Sequence, residues 1–142
     1  MKYRQASLAD LREIEKLLEV SNLPASDCAP HIDNFIVAER DGTIIGVGGF
    51  ERCGELALLR SFAVRADHKN NRIAEKIFQL VKDRATDSEI QQFYLLTTTA
   101  SHYFKRLGFS VCSRRDLPVQ IKQTKQFEEL CPSTATAMVL DL

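Results

Sequence analysis

Apolar positions along this chain switch between two spacings, and the switches outline its elements. Residues 3–6 read as a short first strand, and from Ser7 onward Leu8, Leu11, Ile14, Leu17 and Leu18 share one helical face. Ser7 and Asp10 make an S-x-x-D capping pattern at the start of that helix. Asn22, Pro24, Ser26 and Pro30 then break the periodicity, leaving room for one short helical turn between 27 and 32. Stretches 35–40 and 43–52 predict two strands joined by Asp41-Gly42, residues that accept the positive φ of a tight hairpin turn. The run Gly46-Val47-Gly48-Gly49 has neither the Lys-Ser/Thr nor the helix that would follow in a phosphate loop, and predicts a bulged strand. Residues 56–64 are long, apolar and rich in strand formers, which predicts a central strand.

The second half repeats the alternation of strand and helix. After the polar stretch 65–72, Ile73, Ile77, Leu80, Val81 and Ala85 recur at helical spacing, and 93–96 form a compact buried strand. Thr99 is placed to cap a helix whose apolar face is Ala100, Tyr103, Phe104 and Leu107, and Gly108 suits its C-terminal end. Residues 109–112 predict another strand. Pro118 suits the first position of a helix running to about residue 130, where Pro132 stops it, and 134–140 form the last strand. The order β-α-(α)-β-β-β-α-β-α-β-(α)-β predicts an α/β chain: a central mixed β-sheet, antiparallel at the front, flanked by helices.

Composition narrows the function classes. The 142 residues suit one domain spanning 1–142, and 19 basic against 19 acidic side chains give a formal net charge of zero. Such a chain has no long-range field to gather nucleic acid or an anionic membrane, so neither is expected as a partner. No apolar stretch approaches the ~20 residues of a membrane span, and MKYRQASLAD lacks the apolar core of a secretory signal. Cys28, Cys53, Cys112 and Cys131 are far apart, which predicts reduced thiols in a cytoplasm and no structural zinc. Cys131 reads as a small buried apolar residue, and His31, His68 and His102 have no metal or triad spacing, so no metal is expected. Free strand edges make a homodimer an open option.

The chemistry concentrates where the strand ending at Val64 passes through a polar loop into a helix beginning near Arg72. A helix N-terminus offers unpartnered N–H groups and the positive end of its dipole, which suits a phosphate or pyrophosphate. The loop and first turn carry Arg65, His68, Lys69, Arg72 and Lys76 against Asp67 and Glu75; the plainer reading is a solvated loop. Arg60 lies inside an apolar strand, and a buried guanidinium needs a partner, either an acceptor anion or an internal carboxylate. Glu51 and Glu55 flank the Cys53-Gly54 turn, where a solvated hairpin residue is the ordinary expectation.

Segment 64–76, VRADHKNNRIAEK, resembles the acetyl-CoA motif of GNAT N-acetyltransferases, a strand-ending Val followed by (Q/R)-x-x-G-x-(G/A) and a helix. Segment 100–109, ASHYFKRLGF, is similar to the family's A-x-x-x-Y-x-x-x-G-F, and the element order agrees over nearly the whole chain. Within the superfamily the likeness is closest to the arsenic-resistance N-acetyltransferases, carried by ALLRSFAV (57–64), YLLTTTA (94–100), FKRLGF (104–109) and LCPSTA (130–135).

The resemblance implies the GNAT fold and acetyl-CoA as co-substrate, with transfer of acetyl to the amine of a small molecule and no covalent enzyme intermediate. Backbone groups of Phe62, Ala63 and Val64 would pair with the pantetheine arm, and a backbone N–H near Val64 would hold the thioester carbonyl. The amides of Lys69, Asn70, Asn71, Arg72, Ile73 and Ala74 would cradle the pyrophosphate, with Thr97 taking a place where many relatives carry Asn. Arg60 and Thr98 would face the acceptor. The chain departs from the family at four places. Lys69 replaces Gln or Arg, Arg72 replaces the middle glycine, Phe104 stands where a tyrosine acid is usual, and Leu58 stands where an acidic residue sometimes occurs. Tyr103 is then the candidate acid, with a packed aromatic as the plainer reading, and Glu51 and Glu55 are the candidate bases. Arg72 and Phe104 also keep open a non-catalytic acyl-CoA-binding or interaction module.

Overall fold

The computed structural model describes residues 1–130 and 134–142. Its strands are β1 (Lys2–Gln5), β2 (Phe35–Arg40), β3 (Thr43–Cys53), β4 (Leu56–Val64), β5 (Gln92–Thr97), β6 (Ser110–Cys112) and β7 (Thr136–Asp141). They form one sheet in the order β1-β2-β3-β4-β5-β7-β6, parallel between β4 and β5 and antiparallel at every other pairing. The helices are α1 (Leu11–Val20), α2 (Ile73–Asp87), α3 (Ser101–Arg106) and the single turn α4 (Val119–Lys122). No described helix is long and apolar enough to cross a membrane.

Period-two alternation assigns the faces of the sheet. Ile36 and Ala38 of β2 join the core under α2, whereas Phe35 and Val37 join the core under α1. On β5, Phe93 and Leu95 pack toward α2, while Tyr94 and Leu96 face Leu117 and Ile121 beside α4. The front capping pattern forms as expected. Asp10 Oδ2 accepts the Ser7 backbone N–H at 2.8 Å, and Arg4 grips the same carboxylate through both terminal nitrogens at 2.8 and 2.9 Å. Those Arg4 hydrogen bonds, working against the smaller effect of burial, push the Asp10 pKa down to about 2. The turn at Asp41-Gly42 has φ of 53° and 79°, the positive values the hairpin requires.

β3 is bulged beside the glycine run as expected, since pairing with β2 passes from Ala38↔Gly46 to Glu39↔Ile44, and a second irregularity faces β4. Pairing passes from Val47↔Ala63 to Gly49↔Arg60, two steps on β3 against three on β4, so the extra residue belongs to β4. Ser61 takes a positive φ of 63° within that bulge. Gly48 and Gly49 make room for it. A Cβ on Gly48 would lie 2.6 Å from the Phe62 ring, and one on Gly49 would overlap Phe35.

Two expectations change. Thr99 does not cap α3; Thr97 Oγ1 instead accepts the Ala100 N–H at 3.0 Å. The helix expected from Pro118 to about 130 is interrupted, because the Thr124 hydroxyl donates to the Ile121 carbonyl at 2.7 Å and accepts the Phe127 N–H at 3.2 Å. A π-helical turn, Gln126–Leu130, follows. Cys131 and Pro132 lie outside the described residues, as do the side chains of Lys69, Asn70 and Asn71.

Candidate active site

Only three residue pairs join β4 to β5, the last being Leu58↔Tyr94. Beyond that point the bulge turns β4 away and the two strands diverge, leaving the β5-facing backbone of β4 without a strand partner. The gap opens into a cavity of about 830 Å³ walled by β4 from Leu59 to Val64, by Ala74 of α2, and by 95–100 at the end of β5. Tyr103, Phe104 and Arg106 of α3, Gln126, and Ser21 to Pro24 after α1 complete the wall. Phe62, Ala63, Val64, Ala74 and Thr97, expected around a cofactor from the resemblance, therefore share one cleft with Arg60 and Thr98, expected toward an acceptor.

The loop after β4 forms a 3₁₀ turn, Ala66–Asn71, and Arg72 then enters α2 at φ 56° and ψ 25°. This left-handed conformation costs a residue with a Cβ about 1 kcal/mol. Its effect is to turn the chain sharply, so that the first helical bond is Lys76 N–H to the Arg72 carbonyl at 3.2 Å. The amides of Ile73, Ala74 and Glu75 are left as the unpartnered first turn of a long helix. Arg72's side chain is exposed and does not line the cavity. The hollow is open, with no guanidinium of this residue across it, and the cleft fits an extended acyl-CoA arm on these grounds.

Tyr103 and Phe104 both reach the cavity despite standing side by side on α3. Phe104 is the buried member, meeting Phe62 and Phe109 edge-on at centroid distances of 6.4 and 5.6 Å. The Tyr103 hydroxyl is buried without a hydrogen-bond partner among the described residues. Burial, with the charge of Glu75 adding to it, raises its pKa above the ordinary phenol value. Thr97 already accepts the Ala100 N–H, so its hydroxyl proton is what it can still offer, and Thr98 is exposed at the lip.

Arg60 realises the internal alternative. Nη1 donates to Asp27 Oδ2 at 2.7 Å, Nη2 donates to the other oxygen, and Nε donates to Ser61 Oγ at 3.0 Å. Its side chain is fully buried, and burial alone would lower its pKa; the hydrogen bonds and charge of Asp27 reverse that and raise it. Asp27 answers in kind: its burial would raise the carboxyl, yet Arg60 holds it below the ordinary range. The expected contact between Arg60 and an acceptor anion is thereby corrected to a clamp that joins β4 to the loop after α1.

Neither candidate base lines the cavity. Glu51 lies behind Arg60, its Oε1 3.6 Å from Nη1 and 3.4 Å from His31 Nε2. Glu55 sits in the β3–β4 turn, at the end of β4 opposite Val64, which is ~30 Å away at 3.3 Å per residue. Asp27, His31 and Glu51 bring ligand atoms within 4.8 Å of one another. Both Asp27 oxygens are engaged by Arg60, so the group is an ion-pair network around a guanidinium. Sequence reasoning missed Asp27, which holds Arg60 from behind the wall, and Gln126, which lines the cavity. Asp27 carries a weak signal, an acid in a proline-broken stretch opposite an unpaired Arg60. Gln126 carries none, because it fell inside an expected continuous helix.

Comparison with known proteins agrees with this geometry. The family described as acetyltransferase (GNAT) domain matches residues 31–111. An amino-acid acetyltransferase of Aeromonas salmonicida is 32% identical over 94 residues, covering 63% of this chain and 21% of that protein. Another from Buchnera aphidicola is 25% identical over 139 residues, covering 89% and 31%. The chain thus spans a fifth to a third of the length of the curated relatives it matches. Among solved structures, Rv2747 from Mycobacterium tuberculosis in complex with CoA superposes with TM-score 0.84 at 20% identity, covering 100% of this chain and 99% of that one. N-acetylglutamate synthase from Neisseria gonorrhoeae, complexed with coenzyme A and N-acetyl-glutamate, gives 0.85 at 22%, covering 99% and 35%.

Proposed function

The chain belongs to the acetyltransferase (GNAT) domain family, and from that premise we propose that it transfers an acetyl group from acetyl-CoA to the amine of a small amino acid-like molecule. The observation that carries this reading is the cavity wall. It joins the unpaired edge of β4 to the mouth of α2, and its charged members among the described residues are Arg60 and Arg106, with no carboxylate.

Each wall element has a task in this reading. The backbone of Phe62, Ala63 and Val64 pairs with the pantetheine arm as an added strand would, and an N–H near Val64 polarises the thioester carbonyl. Amides of the loop and first turn, from Lys69 to Ala74, gather the pyrophosphate, helped by the α2 dipole. Acetyl-CoA supplies an acyl carbon whose bond to sulfur breaks as its bond to nitrogen forms. The attacking amine must be neutral. With no carboxylate on the wall and the Arg106 guanidinium there instead, an ammonium gains no counter-charge and loses its proton to solvent. The Tyr103 hydroxyl, unpartnered and slow to ionise, gives its proton to the departing thiolate, and the proton that the attacking nitrogen sheds on becoming an amide restores the phenol through solvent. Glu51 and Glu55 have no part in proton transfer.

An amino acid-like acceptor is supported by the relatives named amino-acid acetyltransferase and by Arg106, whose guanidinium on the wall suits a carboxylate. The likeness to arsenic-resistance enzymes leaves an arsenical acceptor as the alternative to an amino acid-like one. The test is release of CoA thiol from acetyl-CoA across the twenty α-amino acids, with mass spectrometry of the product. N-acetylation of at least one supports the proposal. A non-catalytic acyl-CoA module, favoured by the strained Arg72 at the cofactor loop, predicts thermal stabilisation by CoA with no amine acetylated.

A further inference from the structure

Gln126 opens the π-helical turn after α4, and it is buried, with 7% of its surface exposed. It lines the same cavity as the β4 edge and α3. Its Oε1 is buried and has no hydrogen-bond partner among the described residues. A carbonyl oxygen kept from water without a donor is costly, and in folded proteins such an atom marks a place where a water, an ion or a ligand group supplies the missing partner. Nothing local requires the residue to be polar. The turn is held by Thr124, through its hydroxyl to the Phe127 N–H and its carbonyl to the Glu128 N–H at 3.0 Å. π-Turns also recur at functional sites because they aim a side chain out of helical register.

We propose that Gln126 Oε1 accepts a hydrogen bond from the acceptor's amine and so determines which amines the site admits. The inference rests on the acetyltransferase reading above. An amino acid brings a carboxylate, which Arg106 suits, and an N–H donor, which it repels. A neutral amide oxygen is the group that can orient such a nitrogen without stabilising its charged form. A carboxylate in its place would raise the amine's pKa and withhold the lone pair that must attack.

The test compares the unaltered protein with Gln126→Met and Gln126→Glu, using acetyl-CoA and whichever of the twenty α-amino acids the unaltered protein acetylates. Gln126→Met keeps the length of the side chain. It is expected to hold or raise the melting temperature and leave the acetyl-CoA Kd unchanged while raising the acceptor KM at least about tenfold, the effect of one lost buried hydrogen bond. Gln126→Glu retains an oxygen acceptor. Its KM should return to within about threefold of the unaltered protein, with the rise of kcat/KM displaced to higher pH. An unchanged KM in the Met variant, beside active unaltered protein, overturns the role of Gln126 alone. A Glu variant as impaired as the Met variant, with no displacement of its pH profile, does the same. No turnover of any amino acid by the unaltered protein overturns the acetyltransferase reading, and this inference with it.

Discussion

Removing Asp27 should expose how the cavity wall is held. Asp27→Ala leaves the Arg60 guanidinium, whose side chain has no solvent exposure, facing Glu51 at 3.6 Å, Ser61 Oγ at 3.0 Å and Cys28 Sγ at 3.9 Å. Breaking one side of a buried ion pair costs about 3–5 kcal/mol, because the remaining charge stays desolvated. For a chain of this length each kcal/mol moves the melting temperature by about 3 °C, so a fall of roughly 10–15 °C is expected. The chain has no tryptophan, so urea and thermal unfolding are best followed by far-UV circular dichroism. The pH dependence has a definite sign. Asp27 has a folded pKa below its ordinary 3.8, so its contribution is complete above that pH and is lost as pH falls through the folded value. The gap between variant and unaltered protein should therefore close in acid. Replacing both partners, Asp27→Leu with Arg60→Met, should recover stability to within about 1 kcal/mol of the unaltered protein. A loss under about 1 kcal/mol for Asp27→Ala, or a double variant as unstable as the single one, would refute the buried-clamp argument.

Arg72→Gly removes a Cβ from a left-handed position, and after the added freedom of the unfolded chain a net gain of up to about 0.6 kcal/mol is expected in urea unfolding. Its acetyl-CoA Kd, measured by calorimetry, should stay the same or fall; a tenfold weakening would make the guanidinium a phosphate ligand. Gly48→Ala forces a Cβ to within 2.6 Å of Phe62 and 2.8 Å of Ile77, and should cost about 1–3 kcal/mol while weakening acetyl-CoA binding through the displaced ring. Tyr103→Phe deletes an unpartnered buried hydroxyl, so stability should hold or rise by up to about 1 kcal/mol. Its kcat should drop at least about tenfold in the thiol-release assay, and an unchanged kcat would return Tyr103 to a packing role.

What the sequence determined is whatever depends on near neighbours. The capping pattern at Ser7 and Asp10, the Asp41-Gly42 turn, the apolar face of α2 and the glycine closing α3 are each set by a few adjacent residues, and all formed. The motif after Val64 was legible through its resemblance to the GNAT pattern, whereas the positive φ at Arg72, where that pattern has glycine, came from the structure. Tertiary structure decided the rest. Whether Arg60 met a ligand or a carboxylate depended on Asp27, 33 residues earlier in the chain and brought to it by the loop after α1. Glycines at 48 and 49 were explained by rings at 62 and 35, and the extra residue of the bulge went to the strand opposite them. Gln126 gained its place because the Thr124 hydroxyl diverted a helix that periodicity alone would continue. Local propensity reports which conformation a segment prefers. Which polar atoms end buried, paired or facing a cavity depends on desolvation and on partners far along the chain, and those are specified only when the sheet and its layers close.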